Sequence, residues 1–131
     1  MEVSKKVVFI KDWILNYVNS MPVKAKSLVI GISGGIDSSV TSTLCAMTGL
    51  KTIVLTMPIK QIKEQNDLSH LHKKWLSDKF NNVESHTLEL DDIFKNFENT
   101  LSGFKNEHGM ANSRARLRMV TLYQVAAANQ G

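Results

Sequence analysis

Residues 27–39 read Ser27-Leu-Val-Ile-Gly-Ile-Ser-Gly-Gly-Ile-Asp-Ser-Ser39. The stretch from Ser27 to Ser33 is short, apolar and rich in β-branched residues, with lysines before it and glycines after, so it predicts a buried strand. Gly34-Gly35 breaks that strand. Val40, Leu44 and Met47 then recur at helical spacing as far as Gly49, which suits a C-terminal cap. A strand that passes through a glycine turn into a helix places the turn at the carboxyl edge of a sheet. Doubly wound sheets bind their ligands there.

Outward from this stretch the same alternation continues. Val7, Ile10, Ile14 and Tyr17 predict an amphipathic helix over 3–19, stopped by Met21-Pro22. Lys51–Met57 predicts a second buried strand, stopped by Pro58. Leu68, Leu71, Trp75 and Leu76 mark a helix over 65–80. Asn81-Asn82 makes a turn, and Val83–Leu90 reads as a third strand. Asp91-Asp92 starts a short helix through Leu101. A polar link, Ser102–Met110, leads to a last helix over 112–129, with Gly131 where a C-cap would stand. The expected class is α/β, a doubly wound parallel sheet with helices on both faces. Three strands make a small sheet. Val120, Leu122, Tyr123, Val125, Ala126 and Ala127 leave the last helix little polar surface, so it calls for further cover. We therefore expect residues 1–131 to form a single domain, incomplete at its C-terminal side, from the amino-terminal portion of a longer protein.

The chain has 131 residues, 43% hydrophobic and 21% charged, which fits one folded domain and argues against disorder. No apolar run reaches the ~20 residues of a membrane helix, and no signal peptide opens the chain. The lone Cys45 excludes an internal disulfide and a multi-cysteine metal site. A cytoplasmic protein is the expectation. The net charge is +4, carried as +4 over residues 1–60, −3 over 61–111 and +3 over 112–131. There is no long basic stripe with interleaved aromatics, so we expect no nucleic-acid partner, and without a long apolar run we expect no membrane partner. The basic cluster Arg114, Arg116 and Arg118 suits a compact anion.

Gly31, Ile32, Ser33, Gly34, Gly35, Ile36, Asp37 and Ser38 form the expected phosphate site. The glycines let backbone N–H groups approach phosphate oxygens, Ser33, Ser38 and Ser39 add hydroxyl donors, and the following helix points its positive end at the anion. Asp37 would repel phosphate alone, but makes sense as a Mg²⁺ ligand. A Gly-Gly turn with an Asp or Ser helix cap is the plainer use of such letters. Here the strand, the serines and the helix all agree on phosphate.

The motif is neither Gly-x4-Gly-Lys-Ser/Thr nor Gly-x-Gly-x-x-Gly. Ser-Gly-Gly-x-Asp-Ser resembles the pyrophosphate loop of the N-type ATP pyrophosphatases, also called adenine nucleotide α-hydrolases. The resemblance implies attack on the α-phosphate of ATP, release of pyrophosphate and an adenylated substrate. The loop alone does not choose among GMP synthetases, tRNA-modifying enzymes, NAD synthetases and others.

Asn112-Ser-Arg-Ala-Arg-Leu-Arg-Met119 narrows the choice. With a helix starting near Asn112, three arginines would sit at its positive end, an unfavourable placement of the kind that marks functional sites. At about 100° per residue, Arg114 and Arg118 share a face and Arg116 points away. Asn-x-x-Ala-Arg-x-Arg-Met followed by Leu-Tyr resembles the corresponding stretch of NAD synthetases. That resemblance implies an ATP-dependent ligase that amidates deamido-NAD through an acyl-adenylate, with ATP as co-substrate and Mg²⁺ as cofactor. It implies that Arg116 contacts deamido-NAD, and it gives no role to Arg114 or Arg118. Since 30 residues precede Gly31, the expected nitrogen source is ammonia. The family implies a homodimer. Two alternatives stay open: another pyrophosphate-loop adenylating enzyme, GMP synthetase-like or tRNA-modifying, or a non-catalytic ATP-binding module.

Other residues carry less. Met57, and less directly Gln61, would meet an adenine ring at the end of the second strand. Cys45 is expected to pack, and His72 to sit at the edge of the core. His70, His86 and His108 form no metal spacing. Lys73-Lys74 and Asp91-Asp92 read as solvated or helix-start charges.

Overall fold

A computed structural model describes residues 2–59 and 63–131. The elements are α1 (Val3–Ser20), β1 (Ser27–Gly31), α2 (Ile36–Met47), β2 (Lys51–Thr56), α3 (Lys63–Lys79), β3 (Val83–Thr87), α4 (Asp91–Thr100) and α5 (Glu107–Ala128), with a 3-10 turn at Ser102–Phe104. The strands form one parallel sheet in the order β1-β2-β3.

The alternation of β2 builds two cores. Ile53, Leu55 and Met57 face one side, where they pack with Ile59, Leu90, Phe94 of α4 and Met110 of α5. Val54 faces the other side, with Ile32, Ala46 of α2 and Leu76 of α3. Helices therefore cover both faces, as expected. Burying side chains of this size stabilises by roughly 1.5–3 kcal/mol each. Gly49 takes the expected left-handed turn after α2, with φ 80°. Asn82 secures the bottom of the sheet, donating from Nδ2 to the carbonyls of Ala46 and Leu50 at 2.9 and 2.7 Å.

Several expectations need correction. Only β2 is a buried strand. β1 is half-buried beyond Ser27 and β3 is largely exposed, because each has a neighbouring strand on one side only among the described residues. β3 also ends at Thr87, short of Leu90. In α1 the inward line is Val7, Ile14 and Val18, while Ile10 and Tyr17 are exposed. In α3 the buried line is Ser69, Lys73 and Leu76, while Leu68, Leu71 and Trp75 are exposed. The last helix begins at Glu107 rather than Asn112, capped by Asn106, whose Oδ1 accepts the Gly109 N–H at 2.9 Å. Gln130, not Gly131, takes the left-handed conformation at the end, with φ 55°.

Candidate active site

The phosphate loop leaves the carboxyl end of β1 and enters the N-terminus of α2. Ile32 stays in the sheet, its N–H donating to the Leu55 carbonyl at 2.8 Å. The chain then reverses at Gly34, where φ is 92°, a conformation that favours glycine. A Cβ on Gly34 would lie 2.6 Å from the carbonyl oxygen of Gln65, so the start of α3 presses directly on the loop. Gly35 precedes α2 in an extended conformation, with no side-chain cap.

The serine hydroxyls, expected as phosphate donors, also organise the loop. Ser38 Oγ accepts the Ser33 N–H at 3.1 Å and donates to the Gly35 carbonyl at 3.2 Å. Ser39 Oγ donates to the same carbonyl at 3.0 Å, and Ser33 Oγ accepts the Gly35 N–H at 3.3 Å. These bonds hold the turn open toward solvent. The N–H groups of Ile36, Asp37 and Ser38 fall in the first turn of α2, where no intrahelical acceptor exists. That leaves a cradle of backbone donors at a helix N-terminus, a fitting seat for a phosphate group.

Asp37 is exposed in that first turn, and no described residue pairs with its carboxylate. Among the described residues no cluster of three His, Cys, Asp or Glu side chains forms a protein-only metal cage. One free carboxylate beside a phosphate seat fits Mg²⁺, which binds through one or two carboxylates plus phosphate oxygens and water.

The end of β2 flanks the loop. The Met57 side chain is buried, its methyl group close above Gly31, where a Cβ would come within 3.1 Å of it. Its carbonyl accepts a 3.0 Å hydrogen bond from Arg118 Nε. Gln61 lies outside the described residues. Arg118 is held below the ordinary arginine pKa, chiefly by burial and then by the neighbouring Arg114, against an opposing pull from Asp91. Arg114 stacks its guanidinium over Phe94 at 5.6 Å. Arg116 is exposed on another side of α5, in a cleft of about 290 Å³ lined also by Ile93, Phe97 and Val120. The structure thus places Arg118 at the end of β2, which flanks the phosphate loop, and sends Arg116 to a separate surface. All three arginines stand about two turns or more into α5, so the expected conflict with the helix N-terminus does not arise.

Sequence reasoning missed Lys73. It was expected in solvent with Lys74, which does pair on the surface with Asp78 at 2.7 Å. Lys73 instead turns inward to the ends of β2 and β3. Its position three residues before the buried Leu76 is the signal that could have placed it. His72 is at the core edge as expected, its Nε2 3.0 Å from Ser42 Oγ on α2 and its ring stacked on Trp75. Burial lowers its pKa, against a smaller opposing effect of Ser39. Cys45 is buried, and burial alone pushes its thiol pKa up to about 11, as suits a packing residue.

A family model described as NAD synthase matches residues 6–131. The chain belongs to the NAD synthase family. It is 37% identical over 125 residues to an NH(3)-dependent NAD(+) synthetase of Mesoplasma florum, covering 90% of this chain and 49% of that one. An NH3-dependent NAD synthetase structure from Campylobacter jejuni superimposes with a TM-score of 0.85 at 28% identity, over 100% of this chain and 55% of the other. An NMN synthetase structure from Francisella tularensis gives a TM-score of 0.75 at 32% identity, over 97% and 49%. The chain spans about half the length of these relatives. No described helix is long and apolar enough to cross a membrane.

Proposed function

We propose that this chain supplies the ATP-binding part of an ammonia-dependent NAD synthetase. The observation that carries the proposal is the Ser33–Ser38 turn, open at the N-terminus of α2, in a chain of this family. ATP lies with its β- and γ-phosphates in the cradle of backbone N–H groups and its adenine toward Met57. Asp37 is the residue that would hold Mg²⁺, which when bound neutralises phosphate charge.

The carboxylate oxygen of deamido-NAD attacks the α-phosphorus of ATP. The bond from that phosphorus to the bridging oxygen breaks, and pyrophosphate leaves into the loop. Ammonia then adds to the acyl carbon, AMP departs, and a proton is lost to give the amide. The chain's own groups bind, orient and offset charge, and no side chain acts as a nucleophile. Arg116 binds deamido-NAD on the α4–α5 surface. Because that cleft includes none of the loop residues, a dinucleotide reaches both places most simply at the interface of a homodimer. We infer a cytoplasmic enzyme from the same family.

A second acceptor follows from the F. tularensis match, a protein named for NMN synthesis. The experiment is incubation of the intact protein with Mg·ATP, ammonia and either deamido-NAD or nicotinate mononucleotide. NAD formed with one AMP and one pyrophosphate supports the proposal. NMN formed in preference moves the acceptor to the mononucleotide, and products of ADP and phosphate exclude adenylation.

A further inference from the structure

Lys73 is the only lysine or arginine in the buried class among the described residues. Its Nζ donates to Thr56 Oγ1 at 3.0 Å, to the His86 carbonyl at 3.3 Å and to Thr87 Oγ1. These acceptors use all three N–H groups and none is ionised. No described carboxylate pairs with it. Burying an ammonium without a counter-ion is unfavourable, and an uncharged side chain of the same length would fill the space. A rule broken in this way points to a task beyond packing.

The position of the contact supplies the task. Thr56 and Thr87 are the last residues of β2 and β3 and face each other in register. Beyond them the two chains stay zipped, Leu88 N–H to the Thr56 carbonyl at 2.8 Å and Leu90 N–H to the Pro58 carbonyl at 3.1 Å. From the other face of the sheet Arg118 holds the Met57 carbonyl at 3.0 Å. Two cations from opposite layers thus grip the consecutive residues Thr56 and Met57. Met57 in turn lies against Gly31, the last residue of β1, from which the phosphate loop leaves.

We propose that Lys73 is a positioning residue for the nucleotide base: by clamping the ends of β2 and β3 it fixes the Met57–Pro58 segment at the height where adenine meets it. This rests on the ATP site proposed above. Lys73 hydrogen-bonds to none of the loop residues Ser33–Ser38, so its contribution is confined to ligands that carry the base.

Titration calorimetry on the intact protein tests this with two probes, Mg·ATP and Mg·pyrophosphate. Lys73→Met preserves length and apolar volume. It is expected to weaken Mg·ATP by about five- to thirtyfold, the effect of losing a charged hydrogen-bond clamp. Pyrophosphate affinity should stay within about twofold of wild type. Thr87→Val, which removes one acceptor, should shift the same ratio by a smaller factor and carries the test if Lys73→Met fails to fold. Equal weakening of both probes, or no change in either, overturns the proposal in favour of a purely structural lysine. A wild-type protein that binds neither probe overturns the nucleotide site itself, and the role of Lys73 with it. Pyrophosphate binding without ATP binding retains the loop and removes the base contact that Lys73 would position.

Discussion

Arg118 donates its Nε hydrogen to the carbonyl oxygen of Met57 at 3.0 Å, across 61 residues of sequence. The bond joins α5 to the end of β2 beside the phosphate loop. Hydrogen bonds from charged groups are worth ~1.5–3 kcal/mol. Arg118→Leu is therefore expected to lower stability by about that amount in urea unfolding, with the Met57 carbonyl left unpaired. Arg118→Lys should recover only part of it, because the planar Nε–H fork is lost.

Gly34 and Gly35 should respond differently to the same substitution. Gly34 has φ 92°, and an added Cβ would lie 2.6 Å from the Gln65 carbonyl oxygen. A strained conformation costs of order 1–3 kcal/mol before the clash with backbone is counted. Gly34→Ala should thus lower the urea midpoint clearly. At Gly35 φ is −85° and a Cβ would sit 3.5 Å from Ser33 Oγ, an ordinary contact. Gly35→Ala should shift stability by less than ~1 kcal/mol.

The fold was legible where local signals agreed. The run Ser27–Ser33, the double glycine and the helical spacing after it announced β1, the loop and α2 almost residue by residue. Periodicity told less about which strands are covered: Leu28–Ile30 and Ile53–Leu55 are equally apolar, yet only the second set has a strand on both sides. The start of α5 is hidden in the sequence because Gly109 reads as loop, although Asn106 is a residue type that caps helices. Lys73 and Arg118 were illegible in a stronger sense. Their partners are main-chain and hydroxyl oxygens on distant strands, and a hydrogen bond to a carbonyl leaves no mark in the partner's side-chain identity.

His72 is expected to make folding sensitive to mild acid. Burial lowers its pKa in the folded chain below the ordinary 6.5. The unfolded chain then takes up the proton first as pH falls. The stabilisation from a neutral His72 is fully present above pH 6.5 and declines as pH falls toward the folded value. Unfolding free energy measured at pH 7.5 and pH 5.5 should differ less in His72→Gln than in wild type. An equal difference would mean that other groups carry the acid sensitivity.

Arg116 is exposed in the α4–α5 cleft and makes none of the contacts that tie its neighbours to the fold. Arg116→Ala should leave the thermal midpoint nearly unchanged. In steady-state kinetics of the intact enzyme it should raise the KM for deamido-NAD roughly ten- to a hundredfold, the loss of one charged hydrogen bond. The KM for ATP should move far less. Equal shifts for both substrates would remove Arg116 from the acceptor site.

The most direct measurement is isotope exchange between labelled pyrophosphate and ATP in the intact protein with Mg²⁺, deamido-NAD and no ammonia. A phosphate loop that holds the leaving pyrophosphate beside an acyl-adenylate should return label to ATP only when deamido-NAD is present, and Asp37→Asn should slow that return. Exchange that needs no acceptor, or none at all while NAD is still made on adding ammonia, would contradict an adenylation step at Gly31–Ser38.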